Sequence, residues 1–227
     1  MLDIRLRAAA DMVPRGARLA DIGSDHAYLP IALCLEEKID CALASDINDG
    51  PVAAARANIK KNNLEGKITA IRADGLASAR EFAPDSITVL GMGGELIVSI
   101  LSAAEWVRDG NITLILQPMT HPEILARYLA DEGFEVTDER MVCDNGRDDR
   151  IYRIIKARYN GEVRRIDPID ALFGEINLDR GDDATLSFVE RQIRVLSARI
   201  NGRSSAGQDC EDEKKLVAEM KEYLERK

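Results

Sequence analysis

Short apolar, β-branched runs alternate with longer stretches of helical periodicity through the first two thirds of the chain. The runs at 18–22, 41–45, 68–72, 86–90, 113–117, 135–143 and 150–157 predict strands, and intervening segments such as 51–62 and 122–132 predict helices. Strands alternating with helices specify a parallel sheet covered on both faces. The last two strands depart from this rule. Only Asp144-Asn145-Gly146-Arg147 joins them, and Asn-Gly is a hairpin signal. The sheet is therefore expected to end in an antiparallel pair. A further helix over 2–13 precedes the first strand and stops at Pro14-Arg15-Gly16. Gly50-Pro51 opens the helix at 51–62, where the missing proline N–H does no harm.

After about Asp167 the period changes. Leu186, Val189, Ile193, Leu196 and Ile200 are spaced 3, 4, 3 and 4 apart, a heptad seam. Residues 201–207 read as a turn, and Leu216, Val217, Met220, Tyr223 and Leu224 form a second stripe. Two helices joined by a short connection are expected to fold back as an antiparallel, coiled-coil-like pair. The expected division is an α/β domain over 1–160 and a helical domain over 161–227.

Candidate chemistry starts at the end of the first strand, in Asp21-Ile22-Gly23-Ser24-Asp25-His26-Ala27-Tyr28-Leu29-Pro30. A dinucleotide loop needs a second glycine so that backbone can approach a pyrophosphate. Asp25 occupies that place, and its carboxylate would repel the phosphates. A cationic ligand removes the conflict. S-adenosylmethionine carries an ammonium, a sulfonium and a single carboxylate, and Asp21 and Asp25 are candidates to face its cations. The plainer reading is that both acids cap turns. Asp46-Ile47 ends the second strand about twenty residues on, where α/β folds place the acceptor for ribose hydroxyls. Asp74-Gly75 ends the third strand and suits an adenine amino group. Three strand-end acids without a second glycine favour an adenosylmethionine-dependent methyltransferase. The fourth strand ends in Gly91-Met92-Gly93-Gly94, whose glycines admit a ligand close to the backbone. The Asp/Asn-Pro-Pro-aromatic motif that orients exocyclic amines is absent there, which disfavours such acceptors.

Composition narrows the setting. The chain has 227 residues, 45% of them apolar, enough for one full core and a smaller appendage. No run approaches the roughly 18 apolar residues of a membrane span, and the N-terminus does not have the form of a signal peptide. Cys34, Cys41, Cys143 and Cys210 show neither metal nor disulfide spacing, so a cytoplasmic location is expected. With only His26 and His121, no metal site is expected. The net charge of −9 argues against a nucleic-acid partner when taken alone. Residues 140–165, however, hold eight basic and four acidic side chains, a local +4. That stretch is either a solvated face or a polyanion contact.

The loop at 21–30, Asp49-Gly50-Pro51, Ala73-Asp74-Gly75-Leu76, Gly91-Met92-Gly93-Gly94 and Leu116-Gln117-Pro118 together resemble the bacterial TrmK family. Its members are tRNA (adenine-N1)-methyltransferases that modify an adenine near position 22, in the D-loop region. The resemblance covers nearly the whole chain. It implies a class I, Rossmann-like methyltransferase sheet followed by a coiled-coil-like helical domain, with S-adenosylmethionine as cofactor and tRNA as partner. It places the donor at Asp21, Gly23, Ser24, Asp25, His26, Tyr28, Asp46, Ile47, Asp74, Gly75 and Gly91. The target base is expected beside Tyr28, Met92, Gly93, Gly94, Gln117 and Pro118. N1 of adenine is nucleophilic without losing a proton, so positioning supplies much of the acceleration. Asp25 is then the candidate to stabilise developing positive charge, and Gln117 the candidate orienting amide. Tyr28 or His26 is placed to stack on the base. Arg147, Arg150 and Arg153, with Arg191, Arg194 and Arg199 of the first C-terminal helix, are the expected tRNA contacts. A methyltransferase for a small molecule or protein, and a non-catalytic donor- or RNA-binding module, are the alternatives.

Overall fold

Seven strands form one sheet in the order β3-β2-β1-β4-β5-β7-β6 in the computed structural model, which describes residues 2–144, 150–206 and 208–227. The strands are β1 (Arg18–Ile22), β2 (Cys41–Asp46), β3 (Ile68–Arg72), β4 (Ser86–Gly93), β5 (Thr113–Thr120), β6 (Phe134–Asp144) and β7 (Arg150–Tyr159). The first five run parallel, and β7 is wedged antiparallel between β5 and β6. The order reverses between β1 and β4, the switch point where doubly wound sheets bind ligands. The antiparallel pair expected at the sheet's end is present; the Asn145-Gly146 turn proposed to join it lies outside the described residues.

Alternation along each strand feeds two cores. Leu19, Ala42, Ala44 and Ile115 face one side, covered by α1 (Ile4–Met12), α2 (Tyr28–Leu35) and α3 (Asp49–Lys61). Ala20, Ile87, Val89, Leu114 and Leu116 face the other, covered by α4 (Gly94–Ser102) and α5 (Pro122–Asp131). Each fully buried Leu or Ile contributes about 2 kcal/mol through the removal of apolar surface from water. β4 and β5 run past their predicted ends at Leu90 and Gln117. Bulges on either side of Met92 keep β4 paired with Pro118 and Thr120 of β5, so the glycines read as a turn finish a strand before α4 begins.

The chain continues through two short helices that the periodicity did not reveal, α6 (Pro168–Phe173) and α7 (Glu175–Arg180). Then come α8 (Asp183–Ser205) and α9 (Glu211–Arg226), which pack together as the heptad stripe predicts. The turn expected at 201–207 is instead the last turn of α8 as far as Ser205. Gly202 faces open space there, and the Ser205 hydroxyl bonds back to the Asn201 carbonyl at 2.8 Å. Val189, Leu196, Ile200, Val217 and Met220 join Phe173 and Met141 of β6 in a third core.

The helices dock on β6 and β7 around a buried ion pair. Arg153 Nη2 lies 2.5 Å from Glu139 Oε1, and both side chains are at most 3% exposed. Arg153 Nη1 donates to the Ala171 carbonyl at 2.7 Å, and Asn177 donates to the other Glu139 oxygen at 3.2 Å. Gly174, at φ +89°, passes so close that any Cβ there would overlap the Glu139 carboxylate. This corrects the expectation that Arg153 contacts tRNA: strand parity turns it inward, and its charge is spent on Glu139. Nor is 140–165 a single basic face. Arg158 bonds Thr113, Arg164 bonds the Phe134 carbonyl, and Arg140 pairs with Asp11 and Asp138. Glu139→Ala leaves the buried guanidinium uncompensated and is expected to lower unfolding stability by about 3–5 kcal/mol, measured by urea denaturation.

Candidate active site

All five parallel strands point their carboxyl ends at one edge, so the segments after β1, β2, β3, β4 and β5 meet there. Asp21 anchors this edge. It stands directly across from Thr88 in the β1–β4 pairing, whose hydroxyl donates to it at 2.6 Å; Ser24 donates to its other oxygen at 2.5 Å. The Ser24 N–H reaches the Ser45 carbonyl at 2.8 Å and ties the loop to β2. Burial pushes the Asp21 carboxyl above the ordinary carboxylate range, while the two hydroxyls and the charge of Arg5 act the other way. Asp21 is thus a buried brace for the loop, and the expectation that it faces the donor's cations is corrected by its burial: the residue is only 6% exposed, with each oxygen turned to a hydroxyl inside the protein.

Beyond Asp21 the loop is held in rarely populated backbone. Gly23 (φ +70°), His26 (φ +59°) and Ala27 (φ +54°) all lie in the left-handed region, which costs non-glycine residues on the order of 1 kcal/mol each. A Cβ on Gly23 would overlap the Met92 methyl, so the first loop and the Gly-Met-Gly-Gly segment touch through a missing side chain. Asp25 is turned outward, its side chain 73% exposed and its carboxylate 3.4 Å from His26 Nε2. The His26 ring stacks on Tyr28 with centroids 5.1 Å apart and planes 19° off parallel. Tyr28 stays half exposed, while the His26 carbonyl accepts from Asn58 of α3 at 3.1 Å.

The other strand ends complete the edge. Asp46 accepts the Asn48 N–H at 2.8 Å and is partly open to solvent, beside an exposed Ile47. Asp74 is exposed and precedes Gly75 (φ +50°). Gly94 starts α4 against the His121 carbonyl with no room for a side chain, and a Cβ on Gly93 would lie 3.0 Å from the Thr120 hydroxyl. Gln117 departs from its expected role. It is fully buried, and its Oε1 accepts from Gly91 N–H and Arg5 Nη1, each at 3.1 Å. Its Nε2 donates to the Pro118 carbonyl at 2.8 Å and lies 3.5 Å from Met119 Sδ. With both ends of the amide engaged inside the protein, Gln117 fixes β4 against β5 and does not orient a substrate. Arg5 was missed because it sits in a helix before the first strand, with no motif around it.

A groove of about 660 Å³ runs from Pro118, Met119 and His121 at the end of β5 towards α8. Arg127 of α5, Arg150 of β7, and Arg191 and Arg199 of α8 line it. Arg194 is paired with Glu190 on α8 and is not among the lining residues. Arg147 lies outside the described residues.

A switch-point cleft rimmed by acids, on a parallel sheet closed by an antiparallel wedge, defines a Rossmann-like methyltransferase. The "Methyltransferase domain" family model matches residues 2–155. A Bacillus subtilis tRNA (adenine(22)-N(1))-methyltransferase is 31% identical, over 99% of this chain and 94% of its own length. The chain belongs to that family. A Streptococcus agalactiae protein of the NADB-Rossmann superfamily superposes with TM-score 0.88 at 30% identity, covering 99% of this chain and 97% of its own. M. capricolum TrmK, solved with S-adenosyl-homocysteine, gives TM-score 0.81 at 25% identity, with 99% and 98% covered.

The raised Asp21 carboxyl carries a sign. Its stabilising contribution is present below the ordinary value of 3.8 and is lost as pH rises through the higher folded value. Asp21→Asn removes this dependence. The variant's stability relative to the parent should therefore climb with pH across that interval and level off above it, as read by urea denaturation in stepped buffers. A difference independent of pH would mean that Asp21 titrates as it does in the unfolded chain.

Proposed function

We propose that the protein transfers a methyl group from S-adenosylmethionine to N1 of adenine 22 in tRNA. The observation that carries this reading is the acidic edge itself: carboxylates after β1, β2 and β3 at a switch point where dinucleotide folds keep glycine backbone. Family membership supplies the acceptor.

S-adenosylmethionine brings a methyl group on a positively charged sulfur. Asp46 retains acceptor capacity for the ribose hydroxyls, and Asp74 for the adenine amino group. Gly91, Gly93 and Gly94 keep the acceptor side free of side chains, so a base can come close to backbone. The stacked His26–Tyr28 pair offers that base a flat face. N1 of adenine attacks the methyl through its in-plane lone pair as the carbon–sulfur bond breaks and S-adenosylhomocysteine leaves, so no residue has to remove a proton first. The base gains positive charge as it is methylated, and the outward carboxylate of Asp25 is the group assigned here to stabilise it. In a folded tRNA the target base must leave its stack to reach the site. The arginine-lined groove beside Met119 and His121 gives the flanking phosphates a place to lie.

Incubation with labelled S-adenosylmethionine should methylate unmodified tRNA transcripts carrying adenine 22 and leave those with guanine there unlabelled. Equal labelling of both would overturn the assignment of the acceptor. Asp25→Asn is expected to lower kcat on the order of 10²-fold while donor affinity changes little. Arg127→Ala should weaken tRNA binding across sequences and reduce the slope of log affinity against log salt by about one.

A further inference from the structure

We infer that Arg5 of α1 binds the carboxylate of the methyl donor, a role that rests on the adenosylmethionine reading of this site. The small residues Ala8, Ala9 and Ala10 let α1 lie close against the sheet. Its first turn then overhangs the carboxyl ends of the strands. There Arg5 Nη1 donates to Gln117 Oε1 at 3.1 Å, sharing that oxygen with Gly91 N–H. A Cβ on Gly91 would lie 3.2 Å from the same nitrogen, and the charge of Arg5 acts on Asp21 across the cleft. The guanidinium is thus fixed between the ends of β1 and β4, at the switch point.

Its donors are underused. The side chain is only 21% exposed, yet among the described residues its single hydrogen bond is to Gln117. Asp3 stands at 3.7 Å and already caps Leu6 N–H. A guanidinium has five N–H donors. A cation here is unfavourable to a ligand bearing a sulfonium and an ammonium unless it meets the ligand's one anion. The topology supplies that match. Asp46 and Asp74 hold the nucleoside over β2 and β3, so the amino-acid arm points back across β1 to β4, where Arg5 is. A carboxylate accepts two parallel N–H bonds from one guanidinium. Gln117 is then a positioning residue: Pro118 and Met119 hold its amide, and its oxygen holds Arg5.

The test is a calorimetric titration of the full chain with S-adenosylmethionine and with decarboxylated S-adenosylmethionine, using parent, Arg5→Met and Arg5→Lys proteins of matching circular dichroism. Arg5→Met should weaken the complete donor about 10- to 100-fold, leave the decarboxylated one as tight or tighter because a like charge is removed, and be partly rescued by Arg5→Lys. Equal loss for both ligands, or loss for neither, would overturn the assignment. A parent protein that binds neither donor would reject the adenosylmethionine reading itself.

Discussion

The active edge depends on one buried carboxylate. Asp21 ends β1 with its oxygens on the hydroxyls of Thr88 and Ser24, and these two bonds do different work. The first joins the strands on either side of the switch point. The second bends the chain back so that Gly23, His26 and Ala27 can take their left-handed conformations. Burying a carboxylate is unfavourable, and the upward displacement of its pKa records that cost. The fold tolerates it because the alternative is a loop free to sample the commoner backbone regions, in which Asp25, His26 and Tyr28 would not share one face.

From this brace the order spreads by close contact more than by further bonds. Gly23 has no side chain, so Met92 can lean onto it; Gly94 has none, so α4 can start against the His121 carbonyl. The bulged end of β4 is held from the other side by Gln117, which reads the Gly91 N–H and the Arg5 guanidinium with one oxygen. Donor loop, acceptor segment and N-terminal helix therefore form one packed unit. A change at any of these glycines would be transmitted to the others, because packed protein interiors do not deform continuously.

Periodicity resolved what local sequence controls. Strands β1 and β3 begin and end where the apolar runs do. The acids after β1, β2 and β3 were visible because strand ends are easy to locate. Misread features all depended on partners far away in the chain. Gln117 looks like an orienting amide until Arg5, more than a hundred residues earlier, is seen to occupy its oxygen. Arg153 looks like a surface cation until parity turns it towards Glu139 and the Ala171 carbonyl. Gly202 looks like a helix stop, but a bare glycine facing solvent costs only about 1 kcal/mol relative to Ala. The stripe packed into the third core outweighs that.

An acidic protein with a polyanionic substrate has to gather its cations locally, and here the gathering is tertiary. Arg127, Arg150, Arg191 and Arg199 come from a helix, a strand and a second helix distant in sequence, so no linear window of charge reveals them as a group. They face one groove only because α8 is set against β6 and β7 at a fixed angle. The buried Glu139–Arg153 pair helps set that angle. Such a pair is weak evidence of stability, since apolar residues of the same volume often stabilise more. Its geometry is directional, however: Ala171 and Asn177 bond to its side chains and Arg180 to the Glu139 backbone carbonyl, from the segments that lead into α8. An apolar contact would tolerate sliding, whereas these bonds do not. The distance from the arginines of α8 to the acceptor edge at Met119 is therefore held in part by a buried ion pair.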